Sequence, residues 1–144
     1  MDSSDISLSR AHVEEMFAHA RECAPGECCG LVGGCGVKAS SVYRLRNVAR
    51  DALGAYEAAP EELFAAQREM RARGEELLAI YHSHPRSPQP TPSATDVRLA
   101  FYPSAVYFII GFTHDAECVL RAFRISEGEG RWERAAWALG EARP

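Results

Sequence analysis

The chain lacks any apolar run long enough to cross a bilayer. It has no excess of basic residues and, among five cysteines, no Cys-x-x-Cys pair. Its longest apolar stretch runs from Ala105 to Phe112, counting Gly111, well short of the roughly 20 residues a spanning helix needs. The opening Met1-Asp-Ser-Ser-Asp is acidic where a secretory signal carries positive charge, so a soluble, intracellular, cytoplasmic protein with no membrane role is expected. A formal net charge of -4 and a pI near 5.7 argue against nucleic acid as the main partner. Cys23, Cys28, Cys29, Cys35 and Cys118 are odd in number and read as reduced, mostly buried thiols. Repeats and low-complexity segments are also absent.

What is present is ordinary globular material: 144 residues, 47% hydrophobic and 25% charged. That is most simply one domain spanning 1–144, able to bury about two-thirds of its unfolded surface. Ile6 to Ser9 reads as a short strand leading to a helix capped by Ser9, with Val13, Met16, Phe17 and Ala20 forming its core stripe. His12 and His19 on that helix are assigned to the surface. Pro25-Gly26 breaks it. Cys28 to Cys35 reads as a strand in which Gly30 marks a close approach and Gly33-Gly34 a turn. Ser40 to Arg46 is its partner strand, and 47–59 is a loop or weak hairpin around Tyr56.

Pro60 suits the first position of a helix whose face is Leu63, Ala66, Gln67 and Met70 and whose stop is Gly74. Leu77 to Tyr81 is a strand buried on both faces. Pro103 marks a break before a second such strand, Ala105 to Phe112. Thr113 to Ala116 is a turn, so His114 and Asp115 are read as solvated. Cys118 to Ile125 is a strand, 127–130 a turn, and Trp132 to Leu139 a last strand or edge. About six strands interspersed with helices predict an α/β protein of the α+β kind, with a central mixed, largely antiparallel sheet flanked by helices.

The densest supply of metal-binding groups lies at 80–96, where Ile-Tyr-His82-Ser83-His84-Pro85 is followed by Arg-Ser-Pro-Gln-Pro-Thr-Pro and Ser93-Ala-Thr-Asp96. Strand side chains at i and i+2 share a face, so His82 and His84 project together while Ser83 points away. Pro85 ends the strand, and Pro88, Pro90 and Pro92 restrict the connection. Ser93 reads as the N-cap of a helix with Val97, Leu99, Ala100 and Phe101 as its apolar positions and Asp96 in its first turn. Two histidines and a carboxylate make three protein ligands, the number used by catalytic zinc sites that keep a fourth position open. Read singly, Ser-x-x-Asp is a helix cap and a strand-end histidine is a solvated side chain; together, across a stiffened loop, they point to a metal.

His82-Ser-His84-Pro85, seven residues, then Ser93-x-x-Asp96 resembles the signature of the JAMM/MPN+ zinc metallopeptidases, and Glu27 in Pro25-Gly-Glu-Cys-Cys-Gly-Leu31 fits that family's upstream glutamate. The resemblance spans nearly the whole chain, and the compact length is similar to prokaryotic members. It implies a JAMM/MPN, cytidine-deaminase-like architecture, a Zn2+ ion on His82, His84 and Asp96, Glu27 as the proton shuttle and Ser93 as an oxyanion donor. Whether the Ser93 hydroxyl serves as cap or donor stays open. The implied reaction is hydrolysis of the peptide or isopeptide bond after the C-terminal Gly-Gly of a ubiquitin-like or sulfur-carrier partner. The alternatives are a non-catalytic binding module of the same fold, a cysteine hydrolase using Cys28 or Cys29, and a hydrolase or deaminase of small molecules or nucleic acid. The His-x-Glu with Pro-Cys-x-x-Cys of the base deaminases is missing.

Overall fold

The computed structural model describes residues 4–126 and 128–140. Among them the elements run β1 (Ile6–Leu8), α1 (Arg10–Cys23), β2 (Cys29–Cys35), β3 (Lys38–Leu45), α2 (Pro60–Arg73), β4 (Glu76–His84), α3 (Ala94–Arg98), β5 (Val106–Phe112), β6 (Cys118–Ser126), β7 (Arg131–Arg134) and β8 (Trp137–Leu139). The strands make one sheet in the order β7-β6-β5-β4-β2-β3-β1-β8. β1 runs parallel to β3 and β8, and β4 runs parallel to β5, while the other neighbours are antiparallel. The sheet is therefore mixed and largely antiparallel, as the sequence predicts. No helix among the described residues is long and apolar enough to cross a membrane.

Eight strands stand where the sequence predicts about six, and the last segment, read as one strand, divides into two. β7 pairs with β6 and β8 with β1, at opposite edges of the sheet. Seven strand spacings laid flat would separate those edges by about 34 Å, yet the three Cα steps from Arg134 to Trp137 reach at most about 11 Å. The sheet must curl until its edges meet. Asp5 secures the seam: its N–H donates to Ala136 O (2.8 Å), while its carboxylate accepts from Ala136 N–H (2.9 Å) and pairs with Arg124 (3.2 Å).

Curling leaves an apolar layer on each side of the sheet. One contains Leu8, Met16, Ala20, Val32, Tyr81 and Phe108, under α1, and the other Leu31, Met70, Ile80, Ile109 and Phe123, under α2. Residue parity along β4 decides which side a group serves, and Ile80, His82 and His84 share the α2 side. The core stripe of α1, the start of α2 at Pro60 and its stop at Gly74 fall as expected.

Three expectations need correction. Gly33 and Gly34 lie inside β2, where the register shifts, and the reversal falls on Gly36 and Val37. α3 ends at Arg98, leaving Leu99 and Phe101 46% and 67% exposed. The chain must turn back there toward β5, Pro103 disfavours helix just before it, and Tyr102 N–H donates to the Tyr107 hydroxyl (3.1 Å). His19 is buried, bonded through Nδ1 to the Tyr81 hydroxyl (2.7 Å), because α1 packs that side against β4. Of the turn read at 127–130, residue 127 lies outside the described residues; 128–130 are a turn.

Gly30 pairs with Tyr81 across β2 and β4, and a Cβ at Gly30 would collide with the Tyr81 ring edge and hydroxyl. The close approach predicted at this glycine is that ring. Because Tyr81 is fully buried and anchored by His19, it has nowhere to retreat. Gly30→Ala is expected to destabilise the fold by about 2 kcal/mol, as overpacking does, read as a lower denaturant midpoint.

Burial, aided by Arg44, holds His19 below its usual pKa. The unfolded chain then takes up the proton first, so stability is complete above about pH 6.5 and falls as pH drops below it. His19→Gln should flatten the fall in denaturant midpoint between pH 7.5 and 5.5; an unchanged slope would remove His19 as its source.

Candidate metal centre

β4 lies between β2 and β5, with His82 paired to Cys29 on one side and Ile109 on the other, and His84 paired to Gly111. The site thus sits at the carboxyl ends of the two parallel strands, where the connection through α3 leaves the sheet. The loop after Pro85 folds back over β5. Phe112 N–H donates to Ser87 O (3.0 Å), and a Cβ at Gly111 would strike Ser87 O and Pro90. Arg121 Nη1 donates to Pro90 O (3.3 Å). This fixed loop delivers Ser93 and Asp96.

Ser93 caps α3 reciprocally with Asp96, its Oγ accepting from Asp96 N–H (3.0 Å) and its own N–H donating to Asp96 Oδ2 (2.8 Å). Capping uses a lone pair of the hydroxyl and leaves its proton free, so cap and donor roles need not compete. The same Oδ2 lies 3.0 Å from His84 Nε2 and 3.2 Å from His82 Nε2, and the two imidazole Nε2 atoms are 3.2 Å apart. Three Lewis bases therefore form a triangle. A tetrahedral ion with bonds near 2.0–2.1 Å separates its ligand atoms by about 3.3 Å, so the spacing and the N,N,O donor set fit a metal. Glu27, just before β2, offers an oxygen within 4.8 Å of ligand atoms on both histidines, and Glu27, His82 and His84 form a group able to hold a metal ion. Sequence-predicted Glu27, His82, His84, Ser93 and Asp96 are thus gathered at one place.

The electrostatics follow from burial. Glu27 is pushed up to about 7, chiefly by burial and further by Asp96 and Asp51, against the pull of His84. Burial drives His82 down toward the neutral imidazole. The same burial lowers His84, but the Asp96 carboxylate outweighs it and the net shift is upward. Burial would raise Asp96, yet its bonds to His82 and His84 hold it far below the carboxylate range. Nδ1 of His82 is buried without a hydrogen-bond partner among the described groups. Access is from a cleft of about 200 Å³ lined by Glu27, Leu53, His84, Pro85, Arg86 and Ser87. A wider hollow of about 590 Å³ along β6 and β7 contains no cluster of metal-ligating groups among the described residues.

Ser83 faces away from the site as expected, its Oγ accepting from Cys28 N–H (2.8 Å) and tying the start of β2 to β4. His114 is exposed in its turn. The sequence reading missed Tyr56, whose ring stacks on His82 at 4.5 Å between centroids, and Asn47, which donates to Glu27 O. Both lie in a loop without periodicity, so no pattern marked them. Burial pushes the Cys28 and Cys29 thiols up to about 12, leaving almost no thiolate at neutral pH and arguing against a cysteine nucleophile.

The family described as prokaryotic homologues of the JAB domain matches residues 9–126. The chain belongs to that family. The resemblance carried by His82-Ser-His84-Pro85 and Ser93-x-x-Asp96 is thereby borne out at family level. This JAB-domain chain is 36% identical over 115 residues to a desampylase of Haloferax volcanii, covering 76% of this chain and 82% of that protein. It is 38% identical over 124 residues to a probable TtuB-protein conjugate cleaving protease of Thermus thermophilus, covering 86% and 78%. A protein of Desulfitobacterium hafniense solved in solution superposes with a TM-score of 0.82 at 36% identity, over 95% of this chain and 94% of that one.

Iodoacetamide on the folded protein is expected to label exposed Cys35 and to spare Cys28 and Cys29 until the chain is unfolded. Mass mapping that finds native alkylation of Cys28 with matching inactivation would restore the thiol mechanism.

Proposed function

We propose that this JAB-domain protein is a zinc-dependent peptidase or isopeptidase that hydrolyses the bond after the C-terminal Gly-Gly of a ubiquitin-like or sulfur-carrier protein. The observation that carries it is the convergence of His82, His84 and Asp96 with Glu27 beside them, in a chain similar over most of its length to a desampylase and a conjugate-cleaving protease. Three protein ligands of this type leave a position open, as catalytic zinc sites do. When bound, the ion would polarise the scissile carbonyl and acidify a water.

The remaining work falls to the chain. Glu27 accepts a proton from the attacking water and returns it to the departing nitrogen, which leaves poorly unless protonated. A carboxylate raised toward neutrality suits that two-way transfer. Ser93, with its proton free, donates to the oxygen on which charge develops. Buried His82 and the cap-locked Asp96 keep the ligand triangle rigid. A Gly-Gly tail is thin enough to lie extended toward a recessed site. Five free thiols suit a reducing compartment, and we take the cytoplasm as the place of action.

Purified protein should carry close to one zinc and cleave a Gly-Gly carrier adduct, with a chelator stopping cleavage and zinc restoring it, as followed by mass spectrometry. His82→Ala and Asp96→Ala should lose zinc and turnover together. Glu27→Gln should keep zinc and lose about 10² to 10⁴-fold in rate. Undiminished cleavage after complete metal removal would sink the proposal.

A further inference from the structure

Glu27 precedes β2, which begins at Cys29, so its own peptide groups lie outside the strand ladder that fixes His82 and His84. They are held by the 47–58 loop instead. Glu27 N–H donates to Ala52 O (2.7 Å), and Glu27 O accepts from Asn47 Nδ2 (2.9 Å). The second Nδ2 proton goes to Ala55 O (3.0 Å), while Asn47 Oδ1 accepts from Ala49 N–H (2.9 Å) and Glu57 N–H (3.0 Å). With two carbonyls facing its nitrogen and two N–H groups facing its oxygen, the amide has one orientation. Both side-chain donors of Asn47 and both acceptor positions of its side-chain oxygen are used. The residues so gathered flank Tyr56, whose ring covers buried His82.

We propose that Asn47 is a positioning residue that sets Glu27 against the metal centre and closes the loop that lays Tyr56 over His82. The inference rests on the reading of Glu27 as proton carrier. Without Asn47, Glu27 keeps only its N–H contact to a loop that has lost its central tie. A displacement of about 1 Å at a reacting group costs on the order of a hundredfold in rate. His82, His84 and Asp96 make none of these bonds, so metal binding does not depend on Asn47.

The test is Asn47→Asp, which keeps both acceptor bonds within the loop and removes the donors to Glu27 O and Ala55 O. In the zinc form kcat should fall about 10- to 100-fold, with KM within about threefold and zinc still near one per chain. Added to Glu27→Gln, the same change should lower the residual rate less than about threefold, because both act through one group. Wild-type kcat in Asn47→Asp, or a fully multiplicative loss in the double variant, would overturn the inference. If Asn47→Asp does not fold, amide hydrogen exchange on the wild type decides: Glu27, Ala49 and Glu57 should open together as one protected unit, and independent, fast exchange of Ala49 and Glu57 would count against Asn47. An inactive wild type in the same assay overturns the functional reading and the inference with it. An active wild type alongside an unaffected variant overturns the inference alone.

Discussion

The constraint on which the rest depends is the crowding of three electron-rich atoms, two imidazole nitrogens and a carboxylate oxygen, at 3.0–3.2 Å from one another. Lone pairs so close repel unless a proton or a cation lies among them. The two histidines are displaced in opposite directions, His82 toward neutral by burial and His84 toward charged by the Asp96 carboxylate, while Asp96 is held ionised by its bonds to both. Such a site gains most from an ion that satisfies all three at once. The fold must supply the stiffness that keeps the atoms from relaxing apart.

That stiffness comes from parity along β4. Tyr81 and Ser83 point to the α1 side, where the Tyr81 hydroxyl meets His19 and Ser83 holds Cys28 N–H, so each histidine is flanked in sequence by a tethered residue. The neighbouring strands make room. Gly30 gives up its side chain to the Tyr81 ring, and Gly111 gives up its own to the backbone of the proline-rich loop. Small residues beside β4 thus allow both the anchor beneath the site and the loop above it, and the loop in turn fixes the cap that orients Asp96.

Much of this was legible in the chain. Period-two patterning placed His82 and His84 on one face, Pro85 ended the strand, and Ser93-x-x-Asp96 read as a helix start, because these are local rules that tertiary packing had no reason to override. What escaped notice depended on contacts distant in sequence. The burial of His19 is decided by Tyr81, 62 residues away. The division of the last segment into β7 and β8 follows from a sheet that closes on itself, which no window of residues reports. Tyr56 and Asn47 lie in an aperiodic loop whose order comes from side-chain bonds to backbone, and a lone Asn offers the sequence reader no sign of which four groups it will meet.

The site therefore divides its demands between two kinds of scaffold. The proposed ligands need fixed separations, and they stand on a central strand and on a reciprocally capped helix, where backbone bonds bear the load. A proton carrier must face two positions in succession, first the water and then the departing nitrogen, and a side chain locked as tightly as His82 would serve one better than the other. On the proposed reading Glu27 suits that part, since it stands just outside the ladder and is braced through its peptide groups by a loop. A carboxyl raised by burial to about 7 suits the proposed role, since its affinity for a proton then lies near the point where gaining and losing one are equally easy.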